Sequence, residues 1–292
     1  MQWGRILTAM VTPFTADGKL DLEGARRLAA YLVDHGSDGL VVAGTTGESP
    51  TLTHEEKIAL FREVKKAVGD RAAVIAGTGT NSTAASIELS REAEALGVDG
   101  LMLVVPYYNR PSQEGLYQHF KAIAAATTLP IILYNIPSRT GRNMDAATTL
   151  RLAEIKNIKA IKEASGDLDQ ATAILRQAPA DFLVYSGDDS LTLPLMAVGG
   201  YGIISVVAHV AGEKMQAMVR AFTAGDVQGA AALHRELFPL FKALFITSNP
   251  VPVKEALQML GLPAGPVRLP LVGATREEKE KIAAALKETG LL

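Results

Sequence analysis

The sequence predicts an α/β fold, a (β/α)8 TIM barrel with a C-terminal helical appendage, on three observations. Eight short apolar, β-branched runs alternate with segments of helical period. The runs are continuous rather than alternating, as parallel strands covered on both faces are. The first run is not followed by the glycine-rich phosphate loop of a doubly wound sheet, and eight units over roughly 220 residues suit a barrel better than an open sheet.

ILTAMV (6–11) leads into VTPFTADGK without a glycine triplet, and GLVVAG (39–44) runs into the turn GTTGES. In HEEKIALFREVKKAV (54–68), Ile58, Phe61, Val64 and Val68 fall on one helical face, and Thr53 with Glu56 three residues on forms a capping box. AAVIAG (72–77) passes into GTGTNS, which lacks the third glycine of a dinucleotide fingerprint and reads as a strand-to-helix turn. GLMLVV (100–105), PIILYN (130–135), IKAIKEA (158–164), FLVYSG (182–187) and GIISVV (202–207) complete the set. From about Ala224 only helical patterns remain, with no linker rich in Pro, Gly and Ser. The expected division is therefore a barrel over 1–224 and a helical domain over 225–292 that packs on it.

Composition narrows the function classes. A 48% hydrophobic, 21% charged chain of net charge −2 does not suit a polyanion-binding surface, so nucleic acid is not an expected partner. The absence of cysteine removes disulfides, thiolate catalysis and sulfur-ligated metals together. No segment has the apolar length of a signal sequence or a membrane span, and a soluble cytoplasmic protein is the expectation. The five histidines, His35, His54, His119, His209 and His234, show no metal-ligand spacing and read as surface or satisfied core groups. Asp188 and Asp189 read as caps of the next helix rather than as cation ligands. No metal or cofactor is expected.

In a barrel the chemistry lies at the C-terminal strand ends. Those ends read GTTGES (44–49), PYYNRP (106–111), YNIPSRTG (134–141), KEASG (162–166), SGDD (186–189) and ISVV (204–207). They supply one amine, tyrosines, threonines and an arginine, without histidine or paired carboxylates. Lys162 can be a solvated strand end. It can equally be a desolvated amine that loses its proton more easily and attacks a carbonyl to form a Schiff base. Tyr107 and Tyr108 can be a packing pair, Arg139 a surface charge, and Thr45 and Thr46 a helix cap.

GTTGES, PYYNRPSQEGLYQHF, LYNIPSRTG, IKEASG, SGDD and GIISV, in this order and over essentially the whole chain, resemble the dihydrodipicolinate synthase family. The resemblance implies a pyruvate-dependent lyase of the class I aldolase type, acting in lysine and diaminopimelate biosynthesis and condensing pyruvate with L-aspartate 4-semialdehyde. It implies Lys162 as the imine lysine, Tyr134 as the proton-transfer group, and Thr45 and Tyr108 as the rest of a hydroxyl relay, with Tyr108 reaching a neighbouring subunit's site. Hydroxyls suit a relay because each both donates and accepts. It further implies pyruvate binding by Thr46 and Ile204, a site lined by Gly187, and Arg139 on the second substrate's carboxylate, where a planar fork bonds both oxygens. The amides of Thr45 and Thr46, opening the loop toward a helix N-terminus, suit the carboxylate of pyruvate. A homotetramer built from two dimers is implied as well.

Two alternatives stand beside this reading. One is another pyruvate-imine aldolase, an N-acetylneuraminate lyase or a 2-keto-3-deoxy sugar acid aldolase, against which Arg139 favours a small carboxylated aldehyde. The other is a non-catalytic small-molecule sensor barrel. The pattern of lysine-inhibited family members maps onto Ser49, His54, Asn81 and Tyr107, with Lys57 and Ala85 where a histidine and a glutamate are common. The missing acid predicts weak or absent inhibition by L-lysine.

Overall fold

The structure, a computed structural model, describes residues 3–292. Through its first half the chain runs β1 (Ile6–Ala9), α1 (Leu22–Asp34), β2 (Gly39–Val42), α2 (His54–Val68), β3 (Ala73–Gly77), α3 (Thr83–Ala95), β4 (Gly100–Val104), α4 (Gln113–Ala124) and β5 (Ile131–Asn135). It continues with α5 (Pro137–Thr140), α6 (Ala146–Ala153), β6 (Ile158–Glu163), α7 (Leu168–Gln177), β7 (Leu183–Ser186), α8 (Thr192–Ala197) and β8 (Gly202–Ser205). Helices α9 (Ala208–Thr223), α10 (Val227–Ala243), α11 (Val251–Met259) and α12 (Arg276–Glu288) follow. The strands are ordered β1 to β8 in a closed barrel. All eight expected strands are present, each slightly shorter than its apolar run.

The chain divides into two compact units, one made of the described residues up to Ala72 with Ser205–Leu292, the other of Ala73–Ile204. In the first, α1 packs on α2, α9 on β1, α10 on α9 and α12, and α11 on α12. In the second, β3 to β7 pair in parallel succession while α3 packs on α4, α4 on α6 and α6 on α7.

Strand interiors are almost wholly buried, which explains why the apolar runs are continuous. Strand starts are tied by a device used twice. Asp38, just before β2, accepts the amides of Arg5 and Ile6 at 2.8 and 2.9 Å, while Gln216 donates to its other oxygen at 2.9 Å. Asp99, just before β4, accepts the Val74 amide at 2.8 Å. Each carboxylate thus satisfies backbone donors that the strand ladder leaves over at its beginning.

The capping box of α2 is formed: Thr53 accepts the Glu56 amide, and Glu56 accepts the Thr53 amide. Its buried face is corrected in one position, because Leu60 joins Phe61, Val64 and Val68 in the core whereas Ile58 is only half-buried. His209 is a satisfied core histidine, accepting the Val11 amide at Nε2 (3.0 Å) and donating from Nδ1 to the Val206 carbonyl (2.8 Å). Among the described residues no helix is long and apolar enough to cross a membrane, and no cluster of three metal-ligating side chains occurs.

Candidate active site

Lys162 is not a wet strand end. It is the penultimate residue of β6 and 4% exposed, with Tyr134 of β5 and Tyr185 of β7 as its lateral neighbours in the sheet. Its Nζ stands 4.4 Å from the centroid of the Tyr134 ring, and Tyr134 is itself buried. Burial pulls the amine down to about 8 from its usual 10.5, with the charge of Asp189 opposing that shift and that of Arg139 adding to it. A buried amine with so low a proton affinity carries a usable neutral fraction near neutral pH.

The other expected site residues of this unit lie in or just after the C-terminal ends of β5, β7 and β8. A Cβ on Gly187 would meet Ala164 Cβ at 2.5 Å and Lys162 Cε at 3.1 Å, so only glycine leaves the lysine stem its path. Ile204 is buried in β8. Arg139 lies exposed in the single turn α5, behind the C-terminal end of β5. Asp188 does act as a cap, accepting the Ser190 amide at 2.8 Å, but Asp189 is corrected: it is 1% exposed and acts electrostatically on Lys162.

Strand alternation sends the next residue of each strand to the opposite face, and there the sequence reading missed a network. Asn135 donates to both oxygens of buried Glu163 at 3.2 Å, Gln170 donates to one of them at 3.1 Å, and the Ser165 amide to the other at 2.7 Å. Asn135 also donates to Asn143 at 2.8 Å and accepts the Met144 amide at 3.0 Å. These bonds tie the ends of β5 and β6 to residues 143 and 144, which close the loop that carries Arg139. The adjacent pairs Tyr134–Asn135 and Lys162–Glu163 were the available signal, one polar residue for each face.

In the other unit, GTTGES is a strained turn. Ala43 and Glu48, neither of them glycine, have φ of 54° and 55°, a conformation costing on the order of 1–3 kcal/mol apiece. Thr46 is buried and Thr45 half-buried, and neither amide donates to a protein acceptor among the described residues. The expected helix N-terminus is corrected. A short 3₁₀ turn, Ser49–Thr51, follows the GTTGE segment, and α2 begins only at His54 under its own Thr53 cap. The Thr45 and Thr46 amides therefore lie in a turn rather than at the end of an α-helix.

Tyr108 is 90% exposed with φ of 72°, while Tyr107 is half-buried, so the two are not a buried packing pair. Of the residues mapped to end-product binding, Ser49, His54 and Lys57 lie in the first unit and are half-buried, and burial lowers the affinity of Lys57 for its proton. Asn81, Ala85 and Tyr107 lie in the second, with Ala85 exposed.

Residues 2–289 match the model of the dihydrodipicolinate synthetase family. The chain is 99% identical over 292 residues to 4-hydroxy-tetrahydrodipicolinate synthase of Moorella thermoacetica, covering all of both chains. It is 61% identical to the same enzyme of Desulforudis audaxviator, covering 100% of this chain and 99% of that one. Among solved structures, dihydrodipicolinate synthase of Bacillus anthracis superposes with a TM-score of 0.96 at 53% identity, covering 98% of each chain. The lysine-bound enzyme of Cyanidioschyzon merolae gives 0.98 at 49%, covering 99% of each. A family match over residues 2–289, together with relatives 99% and 61% identical over the chain, means that this chain belongs to the dihydrodipicolinate synthetase family.

Proposed function

We propose that this chain condenses pyruvate with L-aspartate 4-semialdehyde to give 4-hydroxy-tetrahydrodipicolinate, through an imine on Lys162. The neutral amine adds to the pyruvate ketone, the carbinolamine loses water, and loss of a methyl proton gives the enamine whose carbon attacks the aldehyde; the semialdehyde's amine then adds to the imine carbon and closes the ring as the Lys162 amine leaves. The observation that carries this reading is Lys162 itself, 4% exposed, 4.4 Å above the Tyr134 ring and pulled down to about 8 by burial. Tyr134, Thr45 and Tyr108 pass the protons, since hydroxyls exchange them without an ionised intermediate group. Thr46 and Ile204 receive pyruvate beside Gly187. Arg139 takes the carboxylate of the second substrate, and its exposed place after β5 supports that role.

Tyr108 completes the relay in a second copy of the chain, which makes the active protein at least a dimer and, by its family, a tetramer of two dimers in the cytoplasm. Its 90% exposure and left-handed backbone support that assignment, because such strain persists where it serves a site. With Lys57 and Ala85 at two of the six mapped positions, L-lysine inhibits weakly or not at all.

Pyruvate plus borohydride tests the core of this reading. Intact mass should show one reduced pyruvyl adduct on the wild type and none on Lys162→Ala; an equal adduct on the variant would refute it. Parallel assays with aspartate semialdehyde, N-acetylneuraminate and 2-keto-3-deoxygluconate identify the second substrate.

A further inference from the structure

The GTTGES turn does not hold its own shape. Left-handed residues bracket it at Ala43 and Glu48, and Gly47 is pressed so close that a Cβ there would stand 3.0 Å from Ala43 Cα and 3.2 Å from the Met10 carbonyl oxygen. Such a backbone persists only where its surroundings over-determine it. The surroundings that do so come from near the other end of the chain.

Lys254 in α11 places Nζ 2.6 Å from Glu48 Oε1, with the two side chains 2% and 1% exposed. Lys254 also donates to the Pro266 carbonyl at 2.8 Å. The other Glu48 oxygen accepts the Arg268 amide at 2.9 Å. The Arg268 guanidinium binds the Thr51 carbonyl at 2.9 Å and both oxygens of Glu56 at 2.6 and 2.7 Å. The Lys254 and Arg268 cations each lie 4.2 Å from the centre of the Phe14 ring. One residue before α11's leading Pro250, Asn249 donates to Thr46 Oγ1 at 2.9 Å in a buried bond, and on the opposite side Thr12 donates to the Gly47 carbonyl at 2.7 Å. Four consecutive residues from Thr46 to Ser49 thus include three fixed from outside the turn, two of them by residues beyond 248.

We propose that Lys254 and Asn249, acting through Glu48 and Thr46, are positioning residues for pyruvate: they lock the turn so that the Thr45 and Thr46 amides keep a fixed geometry for the substrate carboxylate. The proposal rests on the reading that this turn receives pyruvate. It gives the C-terminal helical region a part in substrate binding rather than only in packing. A buried ion pair suits the task because two fixed, desolvated charges tolerate little displacement, whereas an apolar pair of equal volume would slide.

The test uses the full-length protein and two variants: Asn249→Ala and the double variant Glu48→Gln with Lys254→Met. Removing both charges avoids stranding one of them, so the double variant should fold with a denaturation midpoint near that of the wild type. Its KM for pyruvate should rise by about tenfold or more while its KM for aspartate semialdehyde stays within about twofold and kcat within about threefold. The concentration of pyruvate needed for half-maximal borohydride trapping should rise in parallel. Asn249→Ala, which leaves the ion pair intact, should raise the pyruvate KM by about threefold or more. A well-folded double variant with the wild-type pyruvate KM, or Asn249→Ala with the wild-type value should the double variant not fold, overturns the proposal. A crystal structure of the wild-type protein trapped with pyruvate separates the two levels. A carboxylate placed away from the Thr45 and Thr46 amides means that the turn does not receive pyruvate and the underlying reading falls as well; a carboxylate on those amides beside variants with the wild-type pyruvate KM means that only the role of the clamp falls.

Discussion

Lys162 in β6 and Lys254 in α11 are buried to similar extents, 4% and 1% exposed, and burial pulls both ammonium groups down to about 8. Their surroundings differ. Lys254 has the Glu48 carboxylate at 2.6 Å, the Pro266 carbonyl at 2.8 Å and the Phe14 ring beneath it, all of which favour the charged form against burial. Lys162 instead has the face of Tyr134 4.4 Å from its Nζ, and the charges acting on it, Asp189 and Arg139, oppose one another. A lysine that must present a neutral amine needs desolvation without a fixed counterion; a lysine that must hold a turn needs the counterion. Equal burial therefore leaves one amine against an aromatic face and the other in an ion pair.

The largest expected effect separates the two by activity. Lys162→Ala should lower kcat/KM by at least roughly a thousandfold, since no other group replaces the imine nitrogen. Steady-state assay of purified protein checks this, and a loss under tenfold would break the distinction. By stability the order reverses. Lys254→Met strands the Glu48 charge and should cost roughly 3–5 kcal/mol in denaturant unfolding, whereas Lys162→Met, which removes a desolvated ammonium at neutral pH and strands no partner, should not destabilise the protein. Equal losses would mean that Lys162 also serves as an ion-pair partner.

A titration sharpens the contrast. The neutral fraction of Lys162 grows as pH rises through about 8, so the rate of pyruvate imine formation should rise across that region and level off above it. The sign for stability follows from the same shift: the folded amine binds its proton less tightly than the unfolded one, whose value is 10.5, so stability rises with pH between about 8 and 10.5 and the contribution is absent below. Lys162→Met should flatten part of that slope in denaturation series taken across the window. The smallest effects are those of the neighbouring charges. Asp189→Asn should move the midpoint of imine formation to lower pH, and Arg139→Gln to higher pH, because one charge favours the ammonium and the other disfavours it. Shifts in the opposite sense would show that these groups act on the amine through the backbone rather than through their charge.

By itself the sequence determined the eight strands, the capping box at Thr53 and Glu56, and the place of Lys162 at a strand end, because these follow from periodicity and capping within a few residues. The order of the motifs along the chain likewise carries the family resemblance. Burial of Lys162 was decided by tertiary structure, since the same IKAIKEA run serves a solvated lysine as well as a desolvated one. So was the role of Asp189, which sits in a turn sequence suited to capping yet is 1% exposed. The face of α2 was settled between Ile58 and Leu60 by which residues came to pack on it. The hold on Glu48 joins positions as far as 220 residues apart, and in the chain Glu48, Lys254 and Arg268 look like any surface charges. Desolvation and ion pairing depend on what folding brings alongside a side chain, and no local pattern carries that information.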